Sequence, residues 1–111
     1  MVKTMGFHNA KYMRLQVAWS KLDMSRASIM GLLDGKFINA TSDLGERFLL
    51  AFGHDRHRYK VIFINSNTGE QFIRFCDTNI EAEEVASKFA YGMQQVKSNE
   101  LINYLNFQQL R

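Results

Sequence analysis

Three features are scarce in this sequence, and each scarcity narrows what the protein can be. The 111 residues include no proline, although average usage of about 5% would give five or six, so the sequence offers no proline-rich docking motif. The one cysteine, Cys76, has no partner in the chain for a disulfide, which favours a reducing cytoplasm. No apolar run approaches the roughly 18 residues of a membrane helix. Because Lys3, His8 and Lys11 interrupt the first residues, we also expect no signal peptide.

The overall composition is that of one folded domain. The chain is 46% hydrophobic and 13% aromatic, which is enough for one core, and its length suits a single domain over residues 1–111. A charged fraction of 23% argues against a disordered chain. The net charge of +3 is compatible with a nucleic-acid partner but does not require one, since no dense block of lysine and arginine occurs.

The C-terminal half has clear local signals. Thr78 and Glu81 have the spacing of a capping box, which satisfies amide donors at a helix start. One apolar stripe at helical spacing follows: Ala82, Val85, Ala86, Phe89, Met93 and Val96. These features predict a helix over 79–97. Two runs rich in β-branched and aromatic residues, 58–65 and 70–76, flank a turn and predict a β-hairpin before that helix.

The N-terminal half is predicted to be helical. Tyr12, Leu15, Trp19 and Leu22 recur three and four residues apart, which predicts an amphipathic helix over 9–22.

Ser25 is a suitable cap for a second helix, which Asp34 and Gly35 would end. Residues 41–53 fit a helix or a strand, and we favour a helix, although Gly45 inside it would cost about 1 kcal/mol. The predicted fold class is therefore α+β, with a helical part over 9–53 followed by the hairpin and helices of 54–111.

The C-terminal tail carries more apolar side chains than a free end should expose. We predict that they form a homodimer interface, or alternatively that the tail folds back and completes the chain's own core. The residues concerned are Leu101, Ile102, Leu105, Phe107 and Leu110.

Residues 22–36 read LDMSRASIMGLLDGK. They resemble the second half of a lambda-repressor-like (Cro-type) helix-turn-helix, and the resemblance continues to Gly53. It implies that apolar residues such as Leu22 and Ile29 lock two helices together, that Ser25 caps the recognition helix, and that a further helix follows Ala40. The alternative is an ordinary helical hairpin with Ser25 as its cap.

The same resemblance implies a DNA-reading surface, because the first turn of a recognition helix faces base edges in the major groove. Arg26 would contact guanine, Ser28 would make a permissive contact, and Lys36 would meet a phosphate. The implied DNA-binding residues are Ser25, Arg26, Ala27, Ser28, Gly31 and Lys36.

A second basic stretch covers residues 54–60. Arg56, Arg58 and Lys60 alternate, so along a strand they would project together and could touch phosphates. The alternative is a solvated strand edge whose charge discourages pairing with another sheet.

Motifs for catalysis and metal binding are lacking in the sequence. His54, His57 and Cys76 lack the second close pair of ligands that zinc sites usually have, and no phosphate-cradling or nucleophile motif occurs. We therefore expect a protein that is not an enzyme and needs no cofactor. The leading hypothesis is a small sequence-specific DNA-binding regulator of phage or mobile-element type, acting on double-stranded DNA as a homodimer. The alternative is a non-enzymatic interaction module or inhibitor that acts on a host or partner protein.

Overall fold

The computed structural model describes residues 31–110, and within them five strands form one antiparallel sheet in the order β1-β2-β3-β4-β5. The strands are β1 (Asp34–Thr41), β2 (Arg47–His54), β3 (Tyr59–Asn65), β4 (Gln71–Cys76) and β5 (Gln108–Leu110). Two helices, α1 (Asn79–Gly92) and α2 (Ser98–Tyr104), lie between β4 and β5 in the chain. Each strand therefore pairs with the strand that precedes or follows it in sequence.

The predicted fold, a helical part over 9–53 ahead of a hairpin and helices, is wrong. Strands β1 and β2 occupy residues that we assigned to the end of a second helix and to a helix over 41–53. The helix that the helix-turn-helix resemblance implies after Ala40 is likewise replaced by strand and turn. The predicted helix over 9–22 and the start of the second helix, 25–30, lie outside the described residues.

The error over 41–53 has a physical cause in the position of β2. Phe48, Leu50 and Phe52 point to one side of the sheet, while Leu49 and Ala51 point to the other, and all five are buried. A strand that is buried on both sides reads as a continuous apolar run without alternation. Such a run fits helical spacing as well as it fits a strand.

Gly45 belongs to the turn that joins β1 to β2. Its φ is 87°, a left-handed conformation that glycine adopts without steric cost. Its amide donates to the Ser42 carbonyl at 3.0 Å, and the Ser42 hydroxyl accepts from the Glu46 amide at 3.1 Å. The glycine that counted against a helix is the residue that closes this turn.

The predicted hairpin is confirmed as β3 and β4. The turn between them is organised by Asn65, whose side-chain oxygen accepts from the amides of Asn67 at 2.9 Å and Thr68 at 3.2 Å. This short-range bonding is the reason that the sequence signal was reliable here.

The helix predicted from residue 79 is confirmed as α1, although it ends at Gly92 rather than at residue 97. Thr78 is its cap, and the Thr78 hydroxyl accepts from the Glu81 amide at 3.0 Å. One carboxylate oxygen of Glu81 accepts from the Asp77 amide at 2.9 Å, and the other pairs with Arg74 at 2.9 Å. Glu81 thus joins the helix start to β4.

Both helices contribute to one core, on the side of the sheet that we call the first face. Phe89 of α1 stacks on Phe63 of β3 with ring centroids 4.5 Å apart and meets the edge of Phe107 at 5.1 Å. The apolar side chains of the sheet in this core are Ile38, Phe48, Leu50, Phe52, Val61, Phe63 and Cys76. The predicted stripe of α1 from Ala82 to Met93 is buried here.

Helix α2 is fixed by a carboxylate from the turn between β1 and β2. The Glu46 carboxylate accepts from both the amide and the hydroxyl of Ser98, each at 2.8 Å. After α2 the chain turns at Asn106, whose φ is 61°, and Phe107 enters the core. This placement accounts for the apolar content of the tail within one chain.

Candidate nucleic-acid interface

The loop between β2 and β3, residues 55–58, carries the basic residues at one end of the sheet. Asp55 organises it: one carboxylate oxygen accepts from the amide of His57 at 2.8 Å and from that of Arg58 at 3.1 Å. The second oxygen binds the Lys60 ammonium. The Asp55 amide also donates to the Arg58 carbonyl at 3.2 Å. The loop therefore has a defined backbone, from which the side chains of residues 56–58 are exposed.

The charge of Asp55 is held by these contacts. The hydrogen bond from Lys60, followed by those from the His57 and Arg58 amides, holds the pKa of the Asp55 carboxyl well below its usual range. Asp55 is thus ionised at neutral pH, and its charge offsets that of Lys60. Lys60 is half-buried in this pair, so its main contact is within the protein.

Arg56 and Arg58 are the exposed cations of the loop. The Arg58 guanidinium lies over the ring of Phe75, 4.2 Å from its centroid, a cation–π contact that orients the side chain. Guanidinium groups suit phosphate because they offer planar, paired donors and stay charged. The arrangement can therefore bind an anion with two guanidinium groups on one loop.

A depression of about 450 Å³ adjoins the loop. Beside the loop residues it is lined by His54, Tyr59, Cys76 and Asp77. The rings of His54 and Tyr59 are 5.4 Å apart, and His54 Nε2 lies 3.6 Å from the Asp34 carboxylate. Because Asp77 adds an acidic residue to the lining of the depression, an anion would bind on the side of Arg56 and Arg58.

Cys76 does not provide a nucleophile at this depression. Burial, with a smaller contribution from Glu81, raises the pKa of the Cys76 thiol to about 11. At neutral pH the thiol is protonated, and the thiolate is the reactive form. Among residues 31–110, His54, His57 and Cys76 do not form a cluster of metal ligands either.

The structure separates the residues of the predicted basic strand. Arg56 and Arg58 lie in the loop and Lys60 lies in β3, so the three do not project as one row along a strand. Sequence reasoning missed Asp55 as the residue that fixes this loop. An aspartate two and three residues before amides in a short connection is a signal for such a turn.

Of the residues that the helix-turn-helix resemblance implies, Ser25, Arg26, Ala27 and Ser28 lie outside the described residues. Gly31 lies beside Lys60, since a Cβ on Gly31 would be 3.7 Å from the Lys60 ammonium.

Lys36 is exposed on β1 and lines a groove with Asn79 and Glu83 of α1. It is therefore on the first face, whereas Arg58 and Lys60 are on the opposite side of the sheet.

The residues predicted to form a dimer interface differ in their exposure. Four of them, Leu101, Ile102, Leu105 and Phe107, are buried in the core of the single chain, and Leu110 of β5 is 39% exposed. The homodimer itself stays a prediction.

In the described part of the chain, neither helix is long and apolar enough to span a bilayer. Comparison with protein-family models, with curated proteins and with solved structures finds no match to this chain.

Proposed function

We propose that this protein binds double-stranded DNA and acts as a small sequence-specific regulator, with the β2–β3 loop contacting the phosphate backbone. The observation that supports the proposal is the pair of exposed guanidinium groups, Arg56 and Arg58, on a loop whose backbone is fixed by Asp55. A fixed loop loses less conformational freedom on binding than a flexible one.

The described residues begin close to the β2–β3 loop. Gly31 lies beside Lys60, and Arg26 is five residues before Gly31. Even if the chain between them were fully extended, the Cα atoms of Arg26 and Gly31 would be at most about 18 Å apart. Arg26 would contact a base and the loop would contact phosphate. In protein–DNA interfaces, base contacts give sequence specificity and phosphate contacts position the protein.

The test is the salt dependence of duplex binding, measured by fluorescence anisotropy. Each phosphate contact that is lost reduces the slope of log affinity against log salt by about 0.9. We expect Arg56→Ala and Arg58→Ala each to flatten the slope by about that amount.

Arg47→Ala is the matched control, because Arg47 is an exposed arginine at the far end of β2. Seven residues of strand place it about 24 Å from His54.

An unchanged slope in both loop variants would refute the proposed contact, and so would an equally flattened slope in Arg47→Ala.

Selection from a randomised duplex pool then tests sequence specificity. Arg26→Ala should relax one base position and weaken specific binding by about 1–3 kcal/mol. The interaction-module alternative would instead be supported if duplex binding is absent and a pull-down captures one partner protein. That association should persist at high salt and after nuclease treatment.

A further inference from the structure

The sheet has a second face, opposite the helices, and it is apolar and buried. Its central side chains are Phe37, Leu49, Ala51, Ile62 and Ile73, each at most 5% exposed. Helices α1 and α2 pack on the first face and contribute nothing to this cluster. Beyond the strands themselves, the described residues supply only Leu32 to it.

The chain enters the described structure at this second face. Leu32 is 1% exposed within the cluster, and the amide of Leu33 donates to the His54 carbonyl at 2.8 Å. Gly31 lies against Lys60, whose cross-strand partner Phe75 also packs on this face. The first described residues therefore lie at the edge of the apolar surface.

We propose that residues 1–30 cover the second face, with the stripe of Tyr12, Leu15, Trp19 and Leu22 against it. The dimensions are compatible: a helix of 14 residues is about 21 Å long, which is enough to cross the four strands that carry the cluster, since their three spacings amount to about 14 Å. Leu32, the residue that follows Gly31, already packs on this face of the sheet. An apolar stripe next to an apolar face in the same chain needs no second molecule to bury both.

Trp19 is the only tryptophan, so its fluorescence reports on this contact in the full chain. A nitroxide, which quenches tryptophan on contact, is attached to a cysteine introduced at Asn39 or at Glu84. Both are exposed. Asn39 pairs with Leu49 and shares its face, whereas Glu84 is on α1, over the first face.

We expect the label at Asn39→Cys to quench Trp19 strongly and the label at Glu84→Cys to leave it bright. Cys76 is buried with a raised pKa, so the wild-type chain should stay unlabelled under the same conditions.

Equal quenching by the two labels, or none by either, would overturn the proposal. A mixing experiment tests for a second copy as the cover. A labelled Asn39→Cys chain that also carries Trp19→Phe is mixed with unlabelled wild type. Quenching in that mixture would show that the stripe comes from another chain and would also overturn the proposal. Unchanged emission supports a cover within the chain. Neither result depends on DNA binding, so this proposal and the proposed function fail independently.

Discussion

Phe89→Ala tests whether the core on the first face is assembled as described. The ring is fully buried and contacts Phe63 and Phe107 with centroids 4.5 and 5.1 Å away. Truncation removes these contacts and leaves a cavity between α1 and the sheet, which typically costs about 3–5 kcal/mol for a buried phenylalanine. A domain of this size has about 5–15 kcal/mol in total, so the loss should be a large part of it.

The assay is urea unfolding followed by circular dichroism. We expect a lower midpoint with an unchanged dependence on urea, because the surface exposed on unfolding is nearly the same. Ile80→Ala is the control, since Ile80 is on the same helix but 68% exposed; it should change stability by about 0.5 kcal/mol or less. A loss below about 1 kcal/mol for Phe89→Ala would refute the packing of α1 on the sheet.

Three further changes test particular contacts. Glu46→Gln should lower the free energy of unfolding by about 1–2 kcal/mol in the same assay, because it weakens two charge-assisted hydrogen bonds to Ser98; a neutral result would contradict that anchoring. Asp55→Asn should be less stable than wild type at pH 7. The lowered pKa of Asp55 gives stability that is present above the unfolded value of about 3.9 and lost as the pH falls through the folded value. The gap should therefore narrow in acid, and a gap independent of pH would contradict this. The raised pKa of Cys76 predicts a pH dependence of stability with the opposite sign. Wild type should lose stability above about pH 8.5, because the thiol of the unfolded chain ionises first. Cys76→Ala should lack that loss. Equal slopes in the two chains would count against the buried thiol.

The parts of the fold that could be predicted from sequence are those with local signals. The Thr78 cap and the Asn65 turn each depend on hydrogen bonds within a few residues, and the start of the helix and the hairpin were predicted correctly. The end of α1 was missed because the apolar spacing continues beyond Gly92 to Val96, which is half-buried against the same core.

The first hairpin could not be predicted in this way. β2 is covered on both sides, so its apolar run lacks the alternation that identifies a strand. Its pairing with β1 and β3 is a property of the whole sheet. The resemblance over 22–53 then favoured a helix for residues whose conformation is set by tertiary pairing.

The candidate site was predicted in its composition but not in its geometry. Charge alone identified Arg56, Arg58 and Lys60. The difference between the exposed arginines and the paired lysine depends on Asp55, which was not assigned a role. Phe75, which orients Arg58, is 17 residues further along the chain, so only the pairing of β3 with β4 brings it near.

The measurement that tests the central claim most directly is a two-dimensional amide NMR titration of the full chain with duplex DNA. We expect the largest shifts for the amides of the loop, residues 55–58, and for the side chains of Arg56 and Arg58. The turn at 42–46, at the opposite end of the sheet, should be unaffected. Shifts concentrated at 42–46, or none at the loop when the duplex is saturating, would contradict DNA binding through this surface.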